Sequence, residues 1–457
     1  MADVLSRIVA RKRREVAARL TGPVPADPTT RSLRAALARP GARFIMEVKR
    51  ASPSGHRSVV SVEQAVAAYA PVADAISVLT DGADFGGSLD DLRMVRAAFA
   101  GPILAKDFIV DMAQVSEARS FGADAVLVMM SVLDDGVAAA VLAEAQRLGM
   151  DAIVEVHDEA EMARALALGA AMVGINNRDL KSLSTDLSVA ERLAPLVPAD
   201  VLLISESGIS SRADVERLAP TVDAFLVGSA LMAAPDVVGA ARNLVHGRVK
   251  ICGITRVDDV ELAAHSGATH VGLIFVPETP RAVTIDQASA LVQSAKAQGL
   301  RTVGVFRDAA PADIAATAAA LALDVVQLHG REDATAVRAT LSAQTELWAA
   351  CSDGAPPRPG ADRTLFDTGS GGSGVAFDWT LIADRDDLPD AFLAGGIGPS
   401  NARAASRVGT YGLDVCSLVE ARPGEKDPEK MNALFAALRP LSRGNSAHGD
   451  LARGVSA

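Results

Sequence analysis

The chain has 457 residues, 49% of them apolar and 4% aromatic, with 45 Lys+Arg against 56 Asp+Glu. That length exceeds what one hydrophobic core usually serves, and an apolar content carried by Ala, Val, Leu and Ile suits thin layers of helix on strand, so two α/β domains are predicted. Residues 1–247 hold 25 Lys+Arg and 31 Asp+Glu, net −6, and the remaining 20 and 25 leave residues 248–457 at net −5, which excludes a basic nucleic-acid platform in either half.

From the N-terminus, residues 8–20 have helical spacing and include the one basic run, Arg11-Lys12-Arg13-Arg14, which reads as a solvated helix face. A Pro-rich link at 23–28 follows, so residues 1–40 form an extra helical segment ahead of the first strand. Strands are then predicted near 44–49, 75–79, 102–106, 124–130, 152–156, 171–175, 201–205 and 223–227. A recurring grammar supports them. In Phe121-Gly122-Ala123-Asp124, Leu168-Gly169-Ala170-Ala171 and Ser266-Gly267-Ala268-Thr269, a helix ends at a glycine that accepts the left-handed cap, and a Val/Leu/Ile strand starts at once.

The second half repeats the pattern near 249–252, 271–275, 302–306, 324–328, 346–350, 363–367, 391–394 and 412–415. Eight and eight predict two tandem (β/α)8 TIM barrels, the first with the N-terminal helical extension. The domains are set at 1–247 and 248–440, abutting across a short boundary at 242–248, with 441–457 as a frayed tail of Gly, Ser, Ala and Arg. Cys252, Cys351 and Cys416 are odd in number and far apart, so no disulfide framework or Cys-x-x-Cys metal pair can be drawn. A reducing cytoplasm is expected. The start, Met1-Ala2-Asp3-Val4-Leu5-Ser6, shows no signal pattern, and no apolar run is long enough for a membrane span.

Polar clusters follow the apolar runs of the first half: Glu47 and Lys49, Lys106-Asp107, Glu155, Asn176-Asn177-Arg178, and Glu206-Ser207-Gly208. A parallel barrel exposes polar groups from its strands at their C-terminal ends, so five clusters in register define one site. Two lysines with two or three glutamates in a partly dry site suit acid/base work, with Asn176 and Arg178 orienting the substrate. The last two strands of each half end in glycine and a hydroxyl. Ser207-Gly208 with Gly228-Ser229, and Gly395-Gly396 with Ser417, stand where barrels commonly bind phosphate, and predict phosphorylated substrates for both halves. In the second half Cys252 and Asp367 end strands one and six and read as an acid/base pair, although a buried cysteine is an ordinary packing residue. Arg281, after Pro277 and Pro280, reads as a carboxylate clamp.

Glu47-Val48-Lys49-Arg50-Ala51-Ser52-Pro53-Ser54, Lys106-Asp107-Phe108, Gly174-Ile175-Asn176-Asn177-Arg178-Asp179-Leu180, Ser205-Glu206-Ser207-Gly208-Ile209 and Val227-Gly228-Ser229-Ala230 resemble indole-3-glycerol-phosphate synthase. Lys250-Ile251-Cys252-Gly253-Ile254-Thr255, Thr279-Pro280-Arg281, Val326-Gln327-Leu328-His329-Gly330, the 369–374 loop and Leu393-Ala394-Gly395-Gly396-Ile397 resemble phosphoribosylanthranilate isomerase. Their order resembles the bifunctional enzyme of tryptophan biosynthesis over about residues 1–440.

The resemblance implies two consecutive reactions. The second domain would carry out an Amadori rearrangement, with Asp367 protonating the ring oxygen and Cys252 removing the C2 proton, and with Arg281 and His329 at the substrate. The first domain would close the indole ring with loss of carbon dioxide and water. There Lys106 is the implied acid and Glu155 the implied base, while Lys49, Glu47, Asn176, Arg178, Glu206 and Ser207 hold the substrate. Ser52, Gly208, Gly228 and Ser229 are implied at the first phosphate, and Gly395, Gly396 and Ser417 at the second. No metal or organic cofactor, no nucleic-acid or membrane partner, and a monomer are expected.

Two departures from the family pattern stand out: Ser54-Gly55-His56-Arg57 in the first active-site loop, and Leu418 where a small residue is usual. A different sugar-phosphate isomerase is the rival on the same fold, set apart by Cys252 with Arg281, where that rival would carry an aspartate pair. A non-catalytic first half is the rival from another class, and turnover by the separated halves discriminates it.

Overall fold

Sixteen runs rich in Val, Leu, Ile and Ala form the strands of a computed structural model that describes residues 4–51, 55, 58–179, 182–277, 279–352, 355–367 and 378–444. The first eight are β1 (Arg43–Val48), β2 (Ala75–Leu79), β3 (Ile103–Lys106), β4 (Ala125–Met129), β5 (Asp151–Val156), β6 (Met172–Asn176), β7 (Leu202–Glu206) and β8 (Ala224–Val227). The second eight are β9 (Arg248–Cys252), β10 (His270–Ile274), β11 (Arg301–Phe306), β12 (Val325–Leu328), β13 (Glu346–Cys351), β14 (Arg363–Phe366), β15 (Phe392–Leu393) and β16 (Gly412–Val415). Each set closes into a parallel barrel, β8 pairing with β1 and β16 with β9. Gly122, Gly169 and Gly267 all have positive φ, the left-handed turn that lets a helix stop three or four residues before a strand begins.

In the first barrel Ile45, Leu104, Leu127, Ile153 and Ile204 belong to one buried cluster with Leu33 and Leu37. These two leucines come from the short helix α2 (Leu33–Leu37), capped by Ser32. Asp151, at the start of β5, accepts from Ser32 Oγ and Arg34 N, so α2 lies across the N-terminal end of the barrel. The second barrel fills its interior with Trp348 and Phe392, stacked 4.3 Å apart between ring centres, and the buried His270. Met431, Leu434, Phe435 and Leu438 of the last long helix (Pro428–Leu438) pack into its outer layer.

Three expectations are corrected. The basic run on helix α1 (Val4–Arg19) is solvated only at Arg13 and Arg14. Lys12 is buried, with Nζ 2.8 Å from Asp81 and 2.7 Å from Asp107, and Arg11 pairs with Asp81 and Asp84. Because Asp81 and Asp107 follow the C-terminal ends of β2 and β3, α1 is fastened at the mouth of its barrel. A four-residue basic window hides this, since two of its members face inward and two outward along one helix.

The boundaries also differ from 247 and 440. The compact units are Met1–Ala241 with the chain from Pro440, and Arg242–Arg439. The second unit begins inside the helix Val237–His246, because the buried Arg242 donates 2.9 Å to Gln298 O and His246 meets the Phe435 ring edge-on. Residues 440–444 are no tail. Ala42 N donates to Pro440 O at 2.9 Å, Arg443 N to Val222 O at 3.1 Å, Arg443 Nη2 to Val197 O and Pro198 O, and Ser442 is buried. Ending the chain at Arg439 is therefore expected to remove a few hydrogen bonds at about 1 kcal/mol each, lowering the melting temperature of the first unit by roughly 3–10 °C. Scanning calorimetry checks this, and an unchanged transition would show those contacts to be idle.

Candidate active sites

Polar residues in the first barrel gather where β1, β3, β5, β6 and β7 end. Glu47, next to last in β1, lies 3.1 Å from Lys49 Nζ and 3.4 Å from Lys106 Nζ, the terminal residue of β3. Lys106 also lies 2.8 Å from Glu206 at the end of β7. These carboxylates need room, and two glycines supply it. A Cβ at Gly228 would sit 2.4 Å from Glu47 Oε1, and one at Gly174 2.2 Å from Glu206 Oε1. Burial works against charge on Lys106, but Glu206, Glu47 and Glu155 outweigh it and hold the ammonium above the ordinary lysine range. Glu47 is likewise penalised by burial, yet Lys49 and Lys106 bring it down to about 2.

Glu155 behaves oppositely. Burial first, then the neighbouring Glu206, push it up to about 7 against the pull of His157 and Lys106. One barrel mouth thus holds a cationic lysine beside a carboxyl that titrates near neutrality, the pairing that acid/base chemistry requires. His157 stands 3.5 Å from Glu155 and 3.0 Å from Glu161, a neighbour not singled out in the sequence although it follows Val156 directly.

Asn176 accepts from Arg178 N at 3.0 Å, and Asn176 also bonds the Glu155 carboxyl. Arg178 turns into its own loop, donating to Leu183 O and bridging to Thr185. The buried Asn177, passed over in the sequence beside Asn176, ties β6 to β7 by donating to Ser205 Oγ, Glu206 O and Ser207 O. Ser207 and Gly208 both have positive φ, turning the chain sharply after β7. Ser229 Oγ accepts from Lys49 Nζ at 2.8 Å, so the phosphate hydroxyl expected there is engaged by a lysine. Ser52 and His56 lie outside the described residues.

The second barrel brings its predicted residues to one pocket at the strand ends. Cys252, Arg281, His329 and Asp367 line it, with Gly395, Gly396 and Ser417 on another side. His329 Nε2 lies 3.2 Å from Asp367 Oδ2. Asn401 orders the glycine loop, donating to Gly396 O and accepting from Gly398 N. Leu418 is turned outward over Gly398, where a Cβ would come 2.7 Å from its own, and is more than a third exposed. The 369–374 loop lies outside the described residues.

Arg281 is placed differently from a free clamp. Its Nε and Nη2 grip the Glu420 carboxylate at 2.9 and 2.7 Å, and Glu420 is fixed in turn by Lys426 and Gly424 N on the hairpin β17 (Glu420–Arg422) and β18 (Glu425–Lys426). One edge of the guanidinium is thus spent within the protein, leaving the edge that carries Nη1 for a ligand. Glu420 carries no strand-end signal in the sequence, because it belongs to a hairpin outside the barrel.

Cys416 was also missed, 164 positions from Cys252. Val415 pairs with Ile251 in the β16–β9 register, so Cys416 and Cys252 stand on the next rung of neighbouring strands. Their thiols meet. The Cys416 thiol, then burial, raise Cys252 above the ordinary thiol range, while contact with Cys252 brings Cys416 down to about 7 with help from Lys426 and Arg281.

Two closed parallel barrels, each with acid and base groups and glycine turns at its C-terminal rim, define a two-site enzyme of the TIM-barrel class. Comparison with known proteins agrees. The sequence profile of indole-3-glycerol phosphate synthase matches residues 2–244, and that of N-(5'phosphoribosyl)anthranilate (PRA) isomerase matches residues 249–437. A "Tryptophan biosynthesis protein TrpCF" from Salmonella typhi is 42% identical over 96% of this chain and 98% of its own, and one from Yersinia pestis is 45% identical over 87% and 84%. Phosphoribosyl anthranilate isomerase from Thermus thermophilus is 34% identical, with TM-score 0.39, over 42% of this chain and 98% of its own. The chain belongs to the family of bifunctional tryptophan biosynthesis proteins that join an indole-3-glycerol phosphate synthase to a phosphoribosylanthranilate isomerase. It is an enzyme with a lyase half and an isomerase half. Among the described residues no helix is long and apolar enough to cross a membrane.

Proposed function

We propose that the second unit isomerises N-(5-phosphoribosyl)anthranilate to 1-(2-carboxyphenylamino)-1-deoxyribulose 5-phosphate and that the first converts this product to indole-3-glycerol phosphate, with the following residue roles. In the second unit Asp367, steadied by His329, gives its proton to the ring oxygen as the furanose opens, and Cys252 takes the proton from C2. Arg281 binds the anthranilate carboxylate through the guanidinium edge that Glu420 does not occupy. Gly395, Gly396 and Ser417 receive the phosphate. The observation that carries this reading is the convergence of Cys252, Arg281 and Asp367 on one pocket from β9, the turn after β10, and β14.

In the first unit Lys106 is the general acid, kept protonated by the carboxylates around it, and Glu155 is the general base, poised near neutrality. Glu47, Lys49, Asn176, Arg178 and Glu206 hold the substrate and its charged intermediate, Ser207 shapes the rim, and Ser52, Gly208, Gly228 and Ser229 serve the phosphate. Lys49 leaves Ser229 for the substrate when the phosphate arrives. The partners are small phosphorylated anthranilate derivatives, the protein acts as a monomer, and the free thiols of all three cysteines suit the cytoplasm.

Assaying both half-reactions on one purified sample tests the reading, and a missing activity in either half overturns it. Arg281→Lys is expected to raise the isomerase KM by about 10- to 100-fold with a smaller effect on kcat, because an ammonium cannot hold Glu420 and a planar substrate carboxylate together. Wild-type kinetics in that variant would place the carboxylate elsewhere.

A further inference from the structure

Lys250 has no part in the scheme above, yet it is the most completely enclosed charge in the second barrel, with no exposed surface. It lies two residues before Cys252 on β9, and side chains two apart on a strand share a face, here the barrel interior. Its Nζ lies 2.8 Å from Asp414 Oδ2, 2.7 Å from Gln327 Oε1 and 3.2 Å from Cys252 Sγ. An ammonium has three protons, so all are committed and none is left for a substrate. The space is reserved for this contact. Gly272 faces Cys252 across the β9–β10 pairing, and a Cβ there would come within 2.8 Å of both Cys252 Sγ and Lys250 Cε.

We propose that Lys250 is a positioning residue for the isomerase reaction, holding negative charge on the Cys252 sulfur while Asp414 limits how much of its own charge is left for that thiolate. The inference rests on Cys252 being the proton acceptor. Of the three groups on the ammonium, Gln327 is a neutral amide and Asp414 a carboxylate paired with the lysine. The sulfur is the one whose charge changes when a carbon-bound proton is transferred. The other charged or titratable groups that line the pocket with Cys252 are Cys416, Arg281, Arg307, His329 and Asp367, while Lys426 bonds the Cys252 carbonyl at 2.7 Å. Cys416 and burial oppose a thiolate at Cys252, and Lys250 is the cation in direct contact with it. Burial alone would discharge Lys250, but Asp414 and Cys252 hold it above the ordinary lysine range.

The test measures the pH dependence of Cys252 alkylation by iodoacetamide in the full-length protein, with peptide mass spectrometry separating Cys252 from Cys351 and Cys416. Lys250→Met is expected to move the alkylation midpoint up by about one to three pH units, because a contacting cation is lost, and Asp414→Asn to move it down. Isomerase kcat in Lys250→Met should fall by at least about tenfold with KM nearly unchanged, since the ammonium does not reach the substrate. Retained indole-forming activity reports that the first unit has folded, and a cooperative thermal transition of the second unit reports that its barrel has formed. If Lys250→Met leaves Asp414 buried without its partner and the second barrel does not form, the double variant Lys250→Met/Asp414→Asn removes both charges, and its midpoint should lie above that of Asp414→Asn alone. A midpoint unchanged from wild type, or shifts of the same sign in the two single variants, would overturn the proposal. Its failure is separable from that of the catalytic reading: an active Cys252→Ala variant removes Cys252 as the base, whereas the alkylation midpoint reports on Lys250 regardless of turnover.

Discussion

Lys106→Ala is expected to lower the rate of indole-ring formation by roughly 100- to 10,000-fold, the usual cost of removing a general acid, while the isomerase rate stays at the wild-type value. The loss is chemical, because Lys106 is the cation shared by Glu47 and Glu206, and without it two buried carboxylates face each other across the barrel mouth. Some loss of stability in the first unit is therefore expected as well, and circular dichroism separates it from lost turnover. The pH profile gives a second readout. A base must be deprotonated to act, so with Glu155 held at about 7 the wild-type kcat/KM for this step should climb as pH rises through about 7 and then level off. Glu155→Gln should abolish that limb together with most of the rate. Joint failure of both activities in a folded Lys106→Ala protein would contradict two separate sites.

Asp367→Asn and Cys252→Ala should do the converse, each lowering the isomerase rate by about 100-fold or more and sparing indole formation from supplied intermediate. Asparagine keeps the shape of Asp367 and its reach to His329 but has no proton to release to a leaving oxygen, so the deficit should fall on kcat. The two substitutions remove opposite partners of one proton-transfer sequence, so combining them should cost much less than the product of the single effects. Most of the isomerase activity surviving in either variant would remove that residue from the acid/base pair.

All sixteen strands were legible within a few residues, because each is a short apolar run bounded by polar or turn residues, and several, such as β4, β5, β6, β10 and β11, follow a helix-ending glycine with positive φ. The polar ends that point up the barrel were legible for the same reason: Glu47, Lys106, Glu155 and Glu206 each stand at or next to the last residue of an apolar run. What escaped was pairing between distant segments. Cys416 beside Cys252, Glu420 under Arg281 and Lys12 against Asp107 are neighbours by strand register, hairpin return and helix docking, none of which leaves a local pattern. Lys250 escaped for a different cause, because a lysine inside a strand ordinarily marks a solvent-facing position, and only the closed barrel turns it inward. Residues 441–444 were read as part of a tail because Gly, Ser and Arg are as suitable for bonding to exposed strand ends as for fraying.

The attachment of residues 440–444 to the starts of β1 and β8 makes the first unit discontinuous in sequence, and the second unit is, in connectivity, an insertion within it. During synthesis the first barrel therefore emerges whole in its strands yet short of its closing segment. The roughly 200 residues between Ala241 and Pro440 take about 10–40 s to translate at 5–20 residues per second. For that interval Ala42 N and the carbonyl of Val222 lack their final partners, and the barrel that emerges first is completed only when the one that emerges second has left the ribosome.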